Sequence, residues 1–276
     1  MKVCVAGERY EGRAVDLTPH DVSPSAVAVA VRDEDGTDLD VCCADPGPVH
    51  DRVGVVTRDV NVAVRAALAA AARSRGLSAP QADEIAATAE RIAAVDVPDV
   101  SLREARRRAA EADGAETELR ERVAALRGRV QALRETGGDV ADAEAELVTA
   151  TRHLSEAETE RVAAEQALDQ ARERAEVAHD HRERRLRLQD RKANLERAAR
   201  DHLAERVHGR FRDAVAAVPG AGSVGARPSE FDGDGVTAAL AVARVANLDA
   251  PVVLGVDRFA SPDAAADCLD APVLQV

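Results

Sequence analysis

Residues 130–147 read VQALRETGGDVADAEAEL, and this stretch decides the fold. Before it, over residues 102–133, apolar side chains recur at alternating spacings of three and four. After it, over residues 140–178, the same spacing resumes. Such spacing is typical of the a and d positions of a coiled coil. The chain is therefore predicted to contain two long amphipathic helices with a short interruption between them.

The interruption consists of four residues, Thr136, Gly137, Gly138 and Asp139. Either glycine can adopt a left-handed conformation that ends a helix, and Asp139 can cap the helix that follows. A turn this short makes two consecutive helices antiparallel neighbours. We therefore predict a helical hairpin whose tip is formed by these four residues.

Each apolar seam has one polar exception, Glu116 in the first helix and Arg161 in the second. If residues at equal distances from the tip pair with each other, Glu116 lies opposite residues 159–160. Glu116 and Arg161 are therefore not predicted to face each other. Ser101 and Glu104 match a capping box that would begin the first helix.

The residues before the coil are predicted to form the first part of a head. Residues 1–57 form its strands, including a hairpin in which residues 26–33 and 37–43 pair across a turn. Residues 52–57 are a further strand. Residues 58–98 form two helices next to the head.

The residues from the coil onward complete the prediction. Residues 99–218 form the coiled-coil hairpin and its return helix, which continues from 180 to about 217 and packs against the helices before the coil. The Gly- and Pro-rich residues 219–235 are a linker. Residues 236–276 are predicted to be a β-β-α-β part of the head, in which 236–245 is a strand.

Neither set of strands is large enough to form a stable sheet alone. The sequence therefore predicts an α+β protein in which a long antiparallel helical coiled-coil hairpin is inserted in a small α/β head built from both termini. This layout resembles that of SMC-type proteins, whose head is divided by an antiparallel coil. Because no G-x-x-x-x-G-K-[ST] segment occurs, the resemblance implies the architecture without the ATPase motifs.

The amino-acid composition of the chain is typical of proteins from a salt-rich habitat. The formal net charge is −13, and Lys occurs only at positions 2 and 192, so that the other basic residues are all Arg. Acidic, Lys-poor chains resemble the cytosolic proteins of haloarchaea that accumulate salt. In molar salt the Debye length is about 3 Å, so the charge is interpreted as solvation and does not indicate a cationic partner.

Further compositional features favour a cytoplasmic protein. No apolar stretch is long enough to cross a membrane. Residues 1–13 lack the apolar region of a signal peptide. The four cysteines (Cys4, Cys42, Cys43 and Cys268) are too few for a disulfide framework and are interpreted as reduced, buried residues.

No motif predicts a catalytic, cofactor-binding or metal-binding residue, and no cofactor is expected. Residues 220–225 match G-x-G-x-x-G, but a helix precedes them where the dinucleotide fingerprint requires a strand. His179 and His181 are two residues apart, whereas paired metal ligands on a helix are four apart. Residues 232–235 read DGDG and lack the remaining ligands of a calcium loop.

A basic stretch, residues 182–212, contains eleven Arg and Lys against five acidic residues. Arg184, Arg187, Arg191 and Lys192 share one helix face, which could contact phosphates or an acidic partner. No aromatic platform accompanies them. Pairing with neighbouring acidic groups is the favoured interpretation.

We therefore expect a non-catalytic coiled-coil scaffold or interaction protein that binds a protein partner or itself through the coil. One alternative is an accessory nucleic-acid-binding protein that uses the basic helix, residues 182–212. A second is an enzyme in the split head, with a pocket lined by carboxylates or His50 where the two strand sets meet. No membrane partner is expected.

Overall fold

The computed structural model describes residues 1–32 and 39–276. It divides into two compact units. A head unit contains residues 1–87 and 192–276, and a hairpin unit contains residues 88–191. The hairpin unit is therefore inserted in the sequence of the head unit, and the predicted fold class is confirmed.

The first part of the chain is built from short elements. Its strands are β1 (Lys2–Val5), β2 (Glu8–Glu11), β3 (Ala14–Asp16), β4 (Leu39–Cys42) and β5 (Val55–Thr57). A 3-10 turn spans Thr18–His20, and the helices are α1 (Pro24–Ala30), α2 (His50–Val53), α3 (Val64–Ser74) and α4 (Ala82–Ala93).

Two long helices and a second set of short elements follow. The long helices are α5 (Leu102–Thr136) and α6 (Ala141–Ala217). After them come β6 (Gly222–Val224), β7 (Phe231–Gly233), α7 (Gly235–Val245), β8 (Val252–Gly255), α8 (Pro262–Leu269) and β9 (Val273–Gln275).

The central sheet of the head combines strands from both parts of the chain, as predicted. Its strand order is β3-β9-β8-β5, and every neighbouring pair is parallel. The outer strands precede the coil in sequence and the inner strands follow it. The inner strand β8 is buried along Val252–Leu254, since helices and loops cover both faces of such sheets. A second, antiparallel sheet has the order β2-β1-β4.

The predicted strand at 236–245 is wrong, because these residues form α7. Asp234 caps this helix, with its Oδ1 accepting a hydrogen bond from the Thr237 backbone nitrogen at 2.7 Å. Nine residues of α7 are buried. A helix that is apolar on all sides lacks the 3.6-residue alternation of polar and apolar residues. Its sequence therefore resembles that of a buried strand, although its alanines favour a helix.

The predicted hairpin at 26–43 is also wrong in its first strand, where the structure has α1. Ser23 accepts a capping hydrogen bond from the Ala26 nitrogen at 3.2 Å, and Pro24 occupies the first turn. These helix-start features outweigh the alternation of Ala and Val. The second strand is confirmed as β4, and the predicted turn at residues 33–36 lies outside the described residues.

Two shorter predictions need correction. The strand predicted at 52–57 begins only at Val55, because His50–Val53 form α2. The linker predicted at 219–235 contains the antiparallel pair β6 and β7, in which Val224 lies opposite Phe231. The Phe231 ring lies 5.7 Å from that of Phe211, so core packing holds this glycine-rich segment.

The head core includes the end of α6. Leu203, Val207 and Phe211 are buried in one cluster with residues of α3, including Leu68. Arg65 of α3 pairs with Asp201 of α6 at 3.1 Å. The return helix therefore packs against a helix that precedes the coil, as predicted, and it belongs to the single helix that begins at Ala141.

Candidate functional site

The hairpin tip is built as predicted. Gly137 ends α5 with a φ of 71°, and the Gly138 nitrogen donates to the Leu133 carbonyl at 2.9 Å. The Thr136 hydroxyl donates to the Ala132 carbonyl at 3.0 Å. Asp139 Oδ1 accepts from the Ala141 nitrogen at 3.0 Å. These polar groups close the turn.

The capping box predicted at the start of α5 is not formed. Ser101 makes no capping hydrogen bond with its side chain, and Glu104 pairs with Arg108 at 2.5 Å. The start of α5 is therefore held by an i,i+4 ion pair on its surface.

The tip half of the hairpin, defined as residues 119–157, has an apolar seam that is buried at most of its positions. Val123, Leu126 and Ala150 form a buried cluster, against which Leu147 and Leu154 pack. Side chains of the two helices therefore pack against each other in this cluster, whereas Leu119 and Leu133 beside it are half-buried.

Glu116 and Arg161 lie at the border between the two halves of the hairpin, and the prediction that they do not face each other is wrong. Glu116 is 3% exposed and contacts both Arg161 and Arg120. The prediction placed the partner of Glu116 only one or two residues away. The long guanidinium side chain bridges that stagger, because a buried carboxylate must find a partner.

Arg161 also binds Glu165 at 2.6 Å. The hydrogen bond that Arg161 donates to Glu165, together with the charges of Glu165 and Glu116, raises the pKa of the Arg161 guanidinium. Arg161 is therefore held as a cation between two carboxylates.

The alanine half of the hairpin, defined as residues 102–115 and 160–178, is packed differently. Its seam positions on α5 are only half-buried, namely Leu102, Ala105, Ala109 and Ala112. On α6, Ala164, Leu168 and Ala175 are half-buried as well, whereas Ala171 and Ala178 are buried. Methyl groups are too short to fill the space between two helices, so the seam stays partly open.

An open groove runs along one face of the alanine half. Its volume is about 770 Å³, and a separate cavity in the tip half, lined by residues that include Leu119 and Ala150, has a volume of about 340 Å³. Its floor is apolar and consists of small side chains: Ala105, Ala112, Ala115, Ala163, Ala164, Ala167 and Ala171. Its rim is charged and consists of Asp99, Glu104, Arg108, Glu111, Glu160 and Arg174. A small-residue floor with a polar rim is suited to the close approach of another helix.

The residues predicted to contact phosphates lie along α6 and are partly neutralised. Arg187 pairs with Glu183 at 2.5 Å, and Lys192 pairs with Glu196 at 3.4 Å. Arg184 and Arg191 are exposed. Arg191 is the last residue of the hairpin unit, and Lys192 is the first residue of the second segment of the head unit.

The head contains a cleft where residues from both parts of the chain meet. It has a volume of about 290 Å³, and its lining includes Asp45, His50 and Arg73 from the first part and Asn247 and Asp249 from the second. Such a cleft matches the location expected for the enzyme alternative. The two carboxylates are exposed, so that they remain solvated.

His50 in this cleft has a structural role. It is 1% exposed, and its Nε2 lies 2.8 Å from the Pro251 carbonyl, which can only accept a hydrogen bond. Nδ1 is buried and has no hydrogen-bond partner among the residues that the structure describes, and a Cβ on Gly54 would lie 2.3 Å from it. Burial lowers the pKa of His50, so that the ring stays neutral.

Sequence reasoning missed a second polar cluster in the head. The Tyr10 hydroxyl donates to Glu8 at 2.5 Å, and His20 Nε2 lies 2.7 Å from the same hydroxyl. The hydrogen bond to Glu8 raises the pKa of Tyr10. The alternation of Glu8 and Tyr10 on β2 is the only sequence signal for this contact, and it does not identify His20. The cluster ties β2 to the 3-10 turn.

The remaining motifs have structural roles. The segment matching G-x-G-x-x-G forms β6 and its turn, and Asp234 of the DGDG segment caps α7 and binds Arg258 at 3.1 Å. The cysteines are free, but the prediction that they are buried is wrong, because Cys42 is exposed and the other three are half-buried. Within residues 1–32 and 39–276, no three His, Cys, Asp or Glu residues gather as a metal site would require.

No helix in the described parts of the chain is long and apolar enough to cross a membrane.

Comparison with known proteins gives one match. No curated protein and no solved structure matches the chain. One family model matches residues 12–273, which is nearly the whole chain. The chain therefore belongs to the family of unknown function DUF7856.

Proposed function

We propose that the protein is a non-catalytic interaction protein that binds a protein partner through its coiled-coil hairpin. The observation that carries this proposal is the open groove of the alanine half. The seam of the alanine half is half-buried at most of its positions, which leaves apolar surface for another molecule.

The hairpin surface also supports a protein partner. Its exposed faces carry paired charges, such as Arg107 with Glu111 at 2.8 Å and Arg134 with Glu144 at 2.6 Å. Charge patterns of this kind select partners in coiled coils while adding little stability of their own.

Site-specific photo-crosslinking in the source cells tests this proposal. A benzophenone amino acid is placed at Ala115 in the groove, at Ala124 on another exposed face of α5, or at Val29 as a matched exposed position in the head. We expect the variants at Ala115 and Ala124 to form a crosslink to another protein, and this crosslinked product should survive nuclease treatment. Adducts from Val29 alone, or none from the hairpin, would contradict the proposal.

A second candidate function is the binding of nucleic acid by the basic stretch. Arg182, Arg184 and Arg185 are exposed and make no ion pair with any described residue, so their charges are available to phosphates. The partial neutralisation of Arg187 and Lys192 weakens this candidate. A filter-binding assay with duplex and single-stranded DNA tests it.

The setting that we propose is the cytoplasm of a salt-accumulating haloarchaeon, on the basis of the acidic, Lys-poor composition. The SMC-like arrangement, in which a head is divided by an antiparallel coil, is proposed as an architectural likeness. An enzyme in the head cleft is the least favoured alternative, because the His50 nitrogen that could act as a base is packed against the Gly54 backbone.

A further inference from the structure

We infer that the cleft in the head binds one small zwitterion, an aliphatic amino acid, without reacting with it. This inference goes beyond the proposed function, because the cleft lies wholly within the head unit and the groove lies wholly within the hairpin unit. The cleft is formed by the loop before α2, the end of α3 and the loop between α7 and β8.

Hydrogen bonds between these elements fix the walls of the cleft. Ser74 Oγ accepts a hydrogen bond from the Asn247 backbone nitrogen at 2.9 Å, which joins α3 to the loop before β8. His50 joins α2 to the same loop through the Pro251 carbonyl, at 2.8 Å. Walls that are already fixed need no further ordering when a ligand binds, as is usual for small-molecule sites.

The size of the cleft limits the ligand. A volume of about 290 Å³ holds about ten non-hydrogen atoms if each takes the space of a water molecule, about 30 Å³. An amino acid of about nine such atoms, for example leucine, fits this volume, whereas a nucleotide is too large. The apolar part of the wall suits an aliphatic side chain and consists of Pro48, Val49, Ala70, Leu248 and Ala250.

Arg73 supplies a contact for the carboxylate of the amino acid. Its side chain lines the cleft and forms no ion pair with any residue that the structure describes, although the chain contains 50 acidic residues. A guanidinium can donate two parallel hydrogen bonds to one carboxylate, which fixes the orientation of the ligand as well as its position.

Asp45 and Asp249 select a ligand that carries a cation as well. Both carboxylates line the cleft, are accessible, and form no ion pair within the described part of the chain. A phosphate or a simple carboxylate bound to Arg73 would face two like charges, which disfavours it. The ammonium group of an amino acid replaces this repulsion by attraction. The selection depends on opposite charges that one cleft holds apart, and not on the net charge of the chain.

The other polar groups of the cleft are engaged in the fold and offer no nucleophile or base to the ligand. The His50 nitrogens are directed at the Pro251 carbonyl and the Gly54 backbone. The Ser74 hydroxyl donates to the Ala71 carbonyl at 2.8 Å. The cleft is therefore suited to binding and not to turnover.

Isothermal titration calorimetry of the full chain with L-leucine in molar KCl tests the inference. Two analogues each lack one charge, since 3-methylbutylamine has no carboxylate and 4-methylpentanoate has no ammonium group. Each analogue should bind at least about tenfold more weakly than leucine. No binding of leucine, or equal binding of leucine and either analogue, would overturn the inference.

Substitutions in the cleft separate the two charges. Arg73→Gln should weaken leucine binding at least about tenfold, and Asp249→Asn should weaken the binding of both leucine and 3-methylbutylamine. The matched controls Arg58→Gln and Asp257→Asn change exposed residues outside the cleft and should leave leucine binding unchanged. An equal loss of binding in the controls would overturn the assignment of these contacts.

Filling the cleft tests its position in the head. Ala70→Leu enlarges a side chain on the apolar wall and should weaken leucine binding at least about tenfold, while circular dichroism verifies that the helices are intact. Leucine binding that survives both Ala70→Leu and Arg73→Gln would overturn the inference. Crosslinking from Ala115 and Ala124 does not depend on this cleft, so failure here and failure of the proposed function are distinguishable.

Discussion

The two halves of one hairpin solve the same packing problem with different residues. In the tip half, Leu and Val fill the seam, and Val123, Leu126 and Val130 are buried. In the alanine half the same heptad positions carry mostly Ala, and the seam stays half-exposed beside a groove of about 770 Å³. The heptad spacing therefore determines where two helices meet, whereas the size of the side chains determines whether their meeting is complete.

The largest expected effect compares one leucine in each half. Leu126→Ala should lower the free energy of unfolding of the hairpin by about 3 kcal/mol, because it leaves a cavity in a sealed seam. Leu168→Ala should lower it by only about 1 kcal/mol, because Leu168 is half-exposed already. Urea denaturation followed by circular dichroism measures both. Equal losses would remove the distinction between the halves.

The ion pair at the border of the halves gives the next effect. Arg161→Met should destabilise the hairpin, though less than Leu126→Ala, because it leaves Glu116 buried with only Arg120 as partner. The double variant Glu116→Leu/Arg161→Met should recover the stability, since two apolar side chains can replace a buried pair. A double variant as unstable as the single one would refute this account of the pair.

Replacing one alanine by leucine in each half should change the free energy of unfolding in opposite directions. Ala143→Leu should destabilise the hairpin by about 2 kcal/mol, because Ala143 is buried in the seam and a larger side chain overfills it. Ala164→Leu should stabilise it by about 0.5–1 kcal/mol, because it fills open space. Thermal unfolding followed by circular dichroism compares the two. Destabilisation by both would show that the alanine half is as tightly packed as the tip half.

The tip turn gives a smaller effect that sharpens the comparison. Gly137→Ala should destabilise the hairpin by about 1 kcal/mol, because a φ of 71° is unfavourable for any residue with a Cβ. Gly128→Ala is the matched control within α5, where a Cβ meets nothing within 4 Å and helix propensity improves. Denaturation curves that move in the same direction would refute this role for Gly137.

The smallest expected effect concerns the basic stretch. Arg184→Glu/Arg187→Glu/Arg191→Glu should change stability by less than about 0.5 kcal/mol, because these side chains are exposed. If the second candidate function is correct, the same variant should abolish the binding of DNA in the filter assay. Binding that survives the triple change would exclude this stretch as the nucleic-acid site.

The long helices of the fold were predictable because their heptad pattern extends over many residues. The heptads of α5 and α6 and the turn at Thr136–Asp139 could be predicted because each depends on local spacing and local backbone geometry. The combination of strands from both parts of the chain in one head followed from the small number of strands in each part, which is too few for a stable sheet.

The predictions that failed concern features that depend on tertiary context. The buried helix α7 has no polar face, so its pattern resembled that of a strand. Glu116 and Arg161 meet because of a stagger of one or two residues, which the turn sets and the sequence does not show. The groove could not be predicted either, because an alanine seam reads as a complete seam until its burial is known.

Amide hydrogen exchange of α5 in the full chain, resolved by mass spectrometry, tests the central difference between the two halves most directly. We predict faster exchange over residues 102–115 than over residues 119–133. Uniform protection along α5 would contradict the account.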